Sequence, residues 1–284
     1  MAEINFFEPK NTLNIQGKLI DLSKPKVMGV LNLTPDSFYS NSRLKSIDEA
    51  LAKTEQFLKE GATFIDIGGY STRPGADDIS SDEELKRIIP IIENISQKLP
   101  EAIISIDTFR AKVAELGIKA GAHLINDISA GMLDEAMFET VAHLQVPYIM
   151  MHMQGTPKTM QQHPVYNNVV VEVVDFLANR LHLLRKLNVH DVIIDPGFGF
   201  GKTLAHNFEL LNDLEDLQII GLPMLVGFSR KGMVYKTLNT TAEEALNGTT
   251  VLNTIAIQKG AKILRVHDVK EAMECVKLVG YLVG

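Results

Sequence analysis

Short apolar runs in this chain end, one after another, on residues able to do chemistry. One run closes on Asn32 and Thr34; another passes into Gly68-Gly69-Tyr70-Ser71-Thr72-Arg73-Pro74-Gly75. Later runs end in Asp107, in Asn126-Asp127, in His152 and in Asp195, and the last two lead into Ser229-Arg230-Lys231 and Arg265-Val266-His267-Asp268. Any one of these could be a helix cap. Eight in succession describe a polar ring around one ligand. Asp107, Asn126 and Asp195 offer carboxylate and amide edges that suit a flat heterocycle rich in N–H donors and ring nitrogens. Arg73, Lys231, Arg265 and His267 are cationic or can become so, and suit an anion such as phosphate. Together they imply a ligand with a polar aromatic ring at one end and a phosphate group at the other.

Other motifs carry less. Gly197-Phe198-Gly199-Phe200-Gly201-Lys202-Thr203 resembles a phosphate-binding P-loop, but Pro196 stands at the required first glycine. It reads as a glycine-rich loop carrying Phe200 close to the site. No His-Glu-x-x-His occurs and the eight His are scattered, which argues against a zinc site built by the protein. Met150-Met151-His152-Met153 reads as core and rim, and Cys275 as a buried structural thiol.

The elements that must position the ring follow from the runs themselves. They are 27–34, 64–69, 103–107, 123–128, 147–152, 192–197, 224–229 and 263–268, mostly continuous rather than alternating, as in strands buried on both faces of a parallel sheet. Helical periodicity separates them. Ser46-x-x-Glu49 and Ser81-x-x-Glu84 read as helix starts, and Pro90 predicts a kink or a split. Further helices are predicted near 110–121, 133–144, 168–187, 203–215, 242–259 and 269–282. Eight strand–helix units without a linker predict a (β/α)8 TIM barrel; an open doubly wound sheet is the alternative. Residues 1–24 read as an N-terminal β-hairpin extension plugging the barrel bottom, and 25–284 as a single barrel domain.

The 284 residues include 45% hydrophobic and 22% charged side chains, enough for a substantial core. With 28 Lys and Arg against 35 Asp and Glu, the net charge of -7 argues against nucleic acid or an anionic membrane as the main partner. One Cys, no signal-like N-terminus and no long apolar run predict a cytoplasmic protein.

The segments VMGVLNLTPDSF, DIGGYSTRPGA, SIDTFR, LINDISAG, DPGFGFGKT, GFSRKGM and RVHDV, in this order over about 27–269, resemble dihydropteroate synthase of bacterial folate biosynthesis. The resemblance implies a pterin-binding barrel that condenses 6-hydroxymethyl-7,8-dihydropterin diphosphate with p-aminobenzoate, with Mg²⁺ assisting and diphosphate leaving. It implies pterin contacts from Asp107, Asn126, Asp195 and Lys231, and places Asn32 near the metal and diphosphate. It assigns Arg265 and His267 to the anion pocket, and Thr72, Arg73 and Pro74 to a loop over diphosphate and p-aminobenzoate. Phe200 and the stem of Lys231 would flank the aminobenzoate ring. Asp107, Lys231, Arg73 and His267 are the implied catalytic residues. A homodimer through the later helices is implied as well.

The chain departs from the family pattern in places. The first loop reads Asp36-Ser37-Phe38-Tyr39-Ser40-Asn41-Ser42; Tyr70 stands where Glu is usual, Phe109 follows Asp-Thr, and Gly232 replaces a frequent Ser. A methyltetrahydrofolate-binding methyltransferase domain would share the pterin contacts but would not need the Ser-Thr-Arg-Pro-Gly loop or the Arg-Val-His pocket. A non-catalytic pterin binder would be expected to lack Arg73, Asp107, Lys231 or His267; all four are present.

Overall fold

The computed structural model describes residues 10–33, 43–71, 78–157, 159–160 and 164–283, with the backbone alone at 43–46 and 283. A two-stranded hairpin, β1 (Thr12–Ile15) and β2 (Lys18–Asp21), comes first. Gln16 and Gly17, between the strands, both have positive φ (51° and 84°), the backbone of a tight two-residue turn whose twist matches its strands. Asn14 Oδ1 accepts from the Gly17 N–H at 2.9 Å and fixes that turn.

Eight parallel strands follow: β3 (Lys26–Asn32), β4 (Phe64–Gly68), β5 (Ile103–Asp107), β6 (Leu124–Asp127), β7 (Tyr148–Met151), β8 (Val192–Asp195), β9 (Leu225–Val226) and β10 (Ile263–Val266). They lie in the order β8-β7-β6-β5-β4-β3-β10-β9, and an Ile194–Met224 bridge joins β8 to the start of β9, closing the barrel. The chain is thus a (β/α)8 barrel, as the alternation predicts. Between the strands run α1 (Arg43–Glu60), α2 (Ser81–Lys98), α3 (Ala111–Lys119), α4 (Met137–Leu144), α5 (Val169–Lys186), α6 (Leu204–Asn212) with a 3-10 segment (Leu214–Ile220), a short α7 (Gly232–Tyr235), and α8 (Leu246–Gln258). α9 (Val269–Val283) comes last.

The period-2 alternation of strands sorts the core into two parts. Val27, Leu31, Ile65, Ile67, Ile104 and Ile106 face outward into the packing with the helices. Met28, Phe64, Leu124, Ile149, Ile193, Leu225 and Ile263 face inward, in one cluster with Leu13, Ile15, Ile20 and Leu22 of the hairpin. The hairpin therefore fills the lower end of the barrel. Asp191, ahead of β8, stitches it there, accepting from Lys10 Nζ at 2.7 Å and from the Asn14 N–H at 3.1 Å. Leu13→Ala, at a fully buried position, is expected to destabilise the fold by about 2–5 kcal/mol in urea unfolding. A midpoint unchanged from the parent chain would show that the hairpin is not part of the cooperative core.

Two local readings change. Helix α1 begins at Arg43, so Ser46 lies inside its first turn rather than capping it. Helix α2 opens at Ser81 as predicted, capped by Ser80, which accepts from the Glu83 N–H at 3.1 Å. Pro90 sits within α2 without splitting it. Ile88, Ile91, Ile92 and Ile95 are buried along that helix, and their burial outweighs the hydrogen bond a proline removes. Among the described residues, no helix is long and apolar enough to cross a membrane.

Candidate active site

Above the hydrophobic plug, the inward positions of the strands turn polar. Asp66 of β4, Ser105 and Asp107 of β5, Asn126 of β6, Asp195 of β8 and Arg265 of β10 follow the apolar inward layer by two or four residues. The cavity over them has a volume of about 920 Å³ and is bordered by Asn32, Asp107, Asn126, Asp195, Phe200, Lys231, Arg265 and His267. Eight of the eleven residues singled out from sequence thus meet in one place. The other three, Thr72, Arg73 and Pro74, lie outside the described residues, as does the first loop at 36–42.

The floor of the cavity is an ion network. The Arg265 guanidinium donates from Nε to Asp66 Oδ2 at 2.7 Å and from Nη2 to Asp107 Oδ2 at 2.6 Å, and Asn126 Nδ2 donates to Asp66 Oδ2 at 3.1 Å. Burial alone would lower the Arg265 pKa. The two carboxylates outweigh it and hold the guanidinium charged. Arg265 therefore meets carboxylates first, using two of the five donors of its fork, rather than standing in a purely cationic pocket. Burial raises the pKa of Asp107 to about 7, with Asp66, Glu84 and Asp127 adding to the rise and Arg265 opposing it. Burial likewise raises that of Asp195, against the pull of Lys231; Asp195 Oδ1 accepts from the Gly197 N–H at 2.7 Å.

Lys231 and His267 enter from the loops above. Arg230 has a left-handed φ of 60°, a conformation costly for a residue with a side chain, in the sharp turn that precedes Lys231. Lys231 Nζ donates to the Phe198 carbonyl at 2.6 Å and lies 4.9 Å from the centre of the Phe200 ring. Burial, joined by Arg265, lowers its pKa to about 8 while Asp195 and Asp107 pull it back up. His267 Nδ1 lies 2.9 Å from the Ser229 hydroxyl, which also accepts from the His267 N–H at 3.3 Å. The wall opposite β5 is thus cationic and the floor carries carboxylates.

Two members of the predicted ring face elsewhere. Asp127 turns toward the helices, accepting from Ser129, Gly131 and the Tyr148 hydroxyl, and is a structural carboxylate. His152 is buried against Lys202 Nζ at 2.8 Å, and burial with that cation lowers its pKa to about 2. Asp66 and Lys202 were missed by sequence reading. The signal for Asp66 was there: a carboxylate inside an apolar strand is too costly to bury without a cation, and Arg265 is that cation. Lys202 was hidden by the comparison with a P-loop, which reserves that position for phosphate.

The glycines of the 197–201 loop are required where they stand. Gly197 and Gly201 both have positive φ (70° and 62°), and a Cβ on Gly197 would fall on the His152 carbonyl. Two of the chain's departures also meet. Tyr70 and Phe109 pack edge to face at 5.1 Å, with the Arg110 guanidinium 5.1 Å from each ring. Arg110 pairs with the fully buried Glu84 at 2.7 Å and donates to the Ile79 carbonyl at 2.6 Å, while the Tyr70 hydroxyl donates to Asp78 at 3.2 Å. Tyr70 borders the cavity and, packed on Phe109, forms part of its rim.

Comparison with known proteins agrees with this geometry. Residues 28–267 match the family model described as pterin binding enzyme. The dihydropteroate synthase of Escherichia coli K12 is 43% identical over 266 residues, 93% of this chain and 94% of that one. The crystal structure of Yersinia pestis dihydropteroate synthase with a sulfonamide drug complex superposes with a TM-score of 0.90 at 42% identity, over 96% of this chain and 99% of that one. Dihydropteroate synthase from Xanthomonas albilineans in complex with 7,8-dihydropteroate gives 0.86 at 34% identity, with the same coverage. With the barrel, its polar floor and these relatives in agreement, the chain belongs to the dihydropteroate synthase family of pterin-binding enzymes.

Proposed function

We infer that this chain condenses 6-hydroxymethyl-7,8-dihydropterin diphosphate with p-aminobenzoate, yielding 7,8-dihydropteroate and diphosphate. The observation that carries the reading is the meeting, in one cavity, of Asp107, Asn126 and Asp195 with Lys231, Arg265 and His267. Acceptor edges and cations there match a pterin and a diphosphate. Asp107, Asn126, Asp195 and Lys231 hold the pterin; Phe200 and the stem of Lys231 flank the aminobenzoate ring. Arg265 and His267 face the anion, and Thr72, Arg73 and Pro74, outside the described residues, are assigned to diphosphate and p-aminobenzoate by the family resemblance alone.

The C–O bond to diphosphate breaks with its electron pair leaving on the phosphate oxygen. Arg265 and His267 stabilise that charge. The exocyclic methylene is left as a cation delocalised into the dihydropterin. The Asp107 carboxylate stabilises it, and Asp195 fixes the ring's orientation. The arylamine lone pair then forms the C–N bond and the nitrogen gives up a proton. No enzyme nucleophile is needed, and an aniline is already unprotonated near neutrality, so a strong base is dispensable.

Mg²⁺ fits this site as an ion carried largely by the diphosphate. It keeps several waters and takes few protein oxygens, and the described residues contain no cluster of three or more His, Cys, Asp or Glu able to cage one. Asn32, on the cavity wall, would supply an amide oxygen. The ion would add positive charge against the leaving group. We also propose a homodimer, supported by exposed Leu278, Tyr281 and Leu282 on α9 and Val251 on α8, and a cytoplasmic setting, supported by the single, buried Cys275.

The test is diphosphate release from the dihydropterin diphosphate with Mg²⁺ and p-aminobenzoate, each omitted in turn. Sustained release that needs p-aminobenzoate, with dihydropteroate appearing in step, is the expected result. Pterin binding without release would instead identify a methyltetrahydrofolate-type or non-catalytic binder.

A further inference from the structure

The loop that joins β8 to α6 has nearly every carbonyl engaged. Gly197 O accepts from the Phe200 N–H at 3.1 Å and from Lys202 Nζ at 3.0 Å. Phe198 O accepts from Lys231, Phe200 O from Lys202 Nζ at 3.2 Å, and Gly201 O from the Tyr166 hydroxyl at 2.7 Å. Lys202 thus spans the loop it terminates. Its third contact, His152 Nδ1 at 2.8 Å, fastens that loop to the residue following β7. His152 is itself packed, with the Phe176 ring edge-on at 5.0 Å. Two carbonyls and one imidazole nitrogen match the three N–H donors of an ammonium group; burial lowers the Lys202 pKa to about 7, so the full set of donors is present below neutrality and one is given up above it. Lys202 is only 3% exposed, and all three of these acceptors belong to the protein.

We propose that Lys202 is a positioning residue, whose ammonium locks the 197–201 loop onto the end of β7 and so sets Phe200 opposite Lys231. The inference rests on the reading above that p-aminobenzoate lies against Phe200. The lock has to come from within the protein. Lys231 also grips this loop, through the Phe198 carbonyl, but it borders the cavity and has further N–H donors that a pterin would engage, so its hold is shared with the ligand. Lys202 is not shared in this way. It keeps the aromatic wall in place while the pterin side of the cavity changes partners. Gly197 remains tied to Asp195 and to the Phe200 N–H without Lys202, so the backbone beside the pterin floor keeps its hydrogen bonds; the Lys202 charge reaches Asp195 only as a minor influence behind burial and Lys231.

The experiment is Lys202→Met, which keeps the length and apolar stem and removes the donors. The KM for p-aminobenzoate is expected to rise roughly tenfold, as a displaced aromatic wall would make it. Both kcat and the calorimetric affinity for the dihydropterin diphosphate should stay within about threefold. Amide hydrogens at Gly199 and Asn207 should exchange faster with solvent. A p-aminobenzoate KM unchanged from the parent overturns the proposal, and so does an equal loss of both substrates, which a merely structural lysine would give. If Lys202→Met does not fold, Tyr166→Phe removes only the hydroxyl on the Gly201 carbonyl. A rise of roughly threefold in the same KM supports the locked loop, and none overturns it. A parent enzyme that makes no dihydropteroate refutes the reading of the site; an active parent with an indifferent Lys202→Met refutes the lock alone.

Discussion

Asp107→Asn is expected to lower kcat by about 10²–10³-fold, the range found when a preorganised charge is removed from a developing ionic transition state. Shape is conserved in this substitution and charge is not. The carboxylate lies at the end of β5 with Oδ2 2.6 Å from Arg265, on the side of the cavity proposed above for the pterin. Because its pKa is raised to about 7 by burial, kcat/KM for the parent enzyme should climb as pH passes through that value and the carboxylate ionises. The Asn variant should lack this limb. Stability runs the other way. With a folded pKa above the unfolded value of about 3.9, the folded state holds the extra proton below pH 7, and the stability this contributes is lost as pH rises through 7. At pH 8, therefore, Asp107→Asn should resist urea at least as well as the parent, because Arg265 keeps Asp66 as its partner. A variant with parental turnover would refute the role given to Asp107.

The second large effect concerns folding. Arg265→Met would leave Asp66, fully buried, and Asp107 without the guanidinium between them. Removing one partner of such a network costs about 3–5 kcal/mol. The stranded carboxylate would rather take up a proton than stay charged, so the loss should be greatest at pH 8 and smaller at pH 5. Urea midpoints at the two pH values test this. Combining Arg265→Met with Asp66→Asn should recover most of the loss, since it removes the charge the arginine was neutralising. An Arg265→Met protein as stable as its parent at pH 8 would show that the network contributes nothing to folding.

Much of this site was legible in the sequence because a barrel strand points alternate residues inward and ends on a loop at one face. Asp107, Asn126, Asp195 and Lys231 could be placed from those two regularities together with the motifs. What escaped depends on pairs distant in sequence. Asp66 and Arg265 are separated by almost the whole barrel and become neighbours only when β10 closes on β3 beside β4. His152 and Asp127 stand at strand ends like true site residues, but a buried lysine and a tyrosine hydroxyl claim them. Pro90 does not split its helix because four buried isoleucines hold the helix on both sides of it. The start of α1 lies ahead of Ser46 because a serine near a helix start can serve as cap or as first-turn residue, and the choice follows from packing around it.

The hairpin beneath the barrel has a bearing on traffic. A tube sealed at one end is a well, and everything that enters or leaves must use its mouth. The pterin floor lies at the depth of Asp66 and Asn126, while Phe200 and Lys231 stand on the loops above it. On the placement proposed above, a pterin seated at the floor arrives before the aminobenzoate that covers it, and the joined product withdraws aminobenzoate end first. The inward layer of the strands and the four hydrophobic residues of the hairpin packed beneath it, Leu13, Ile15, Ile20 and Leu22, together leave the mouth as the way in and out of a site they never touch.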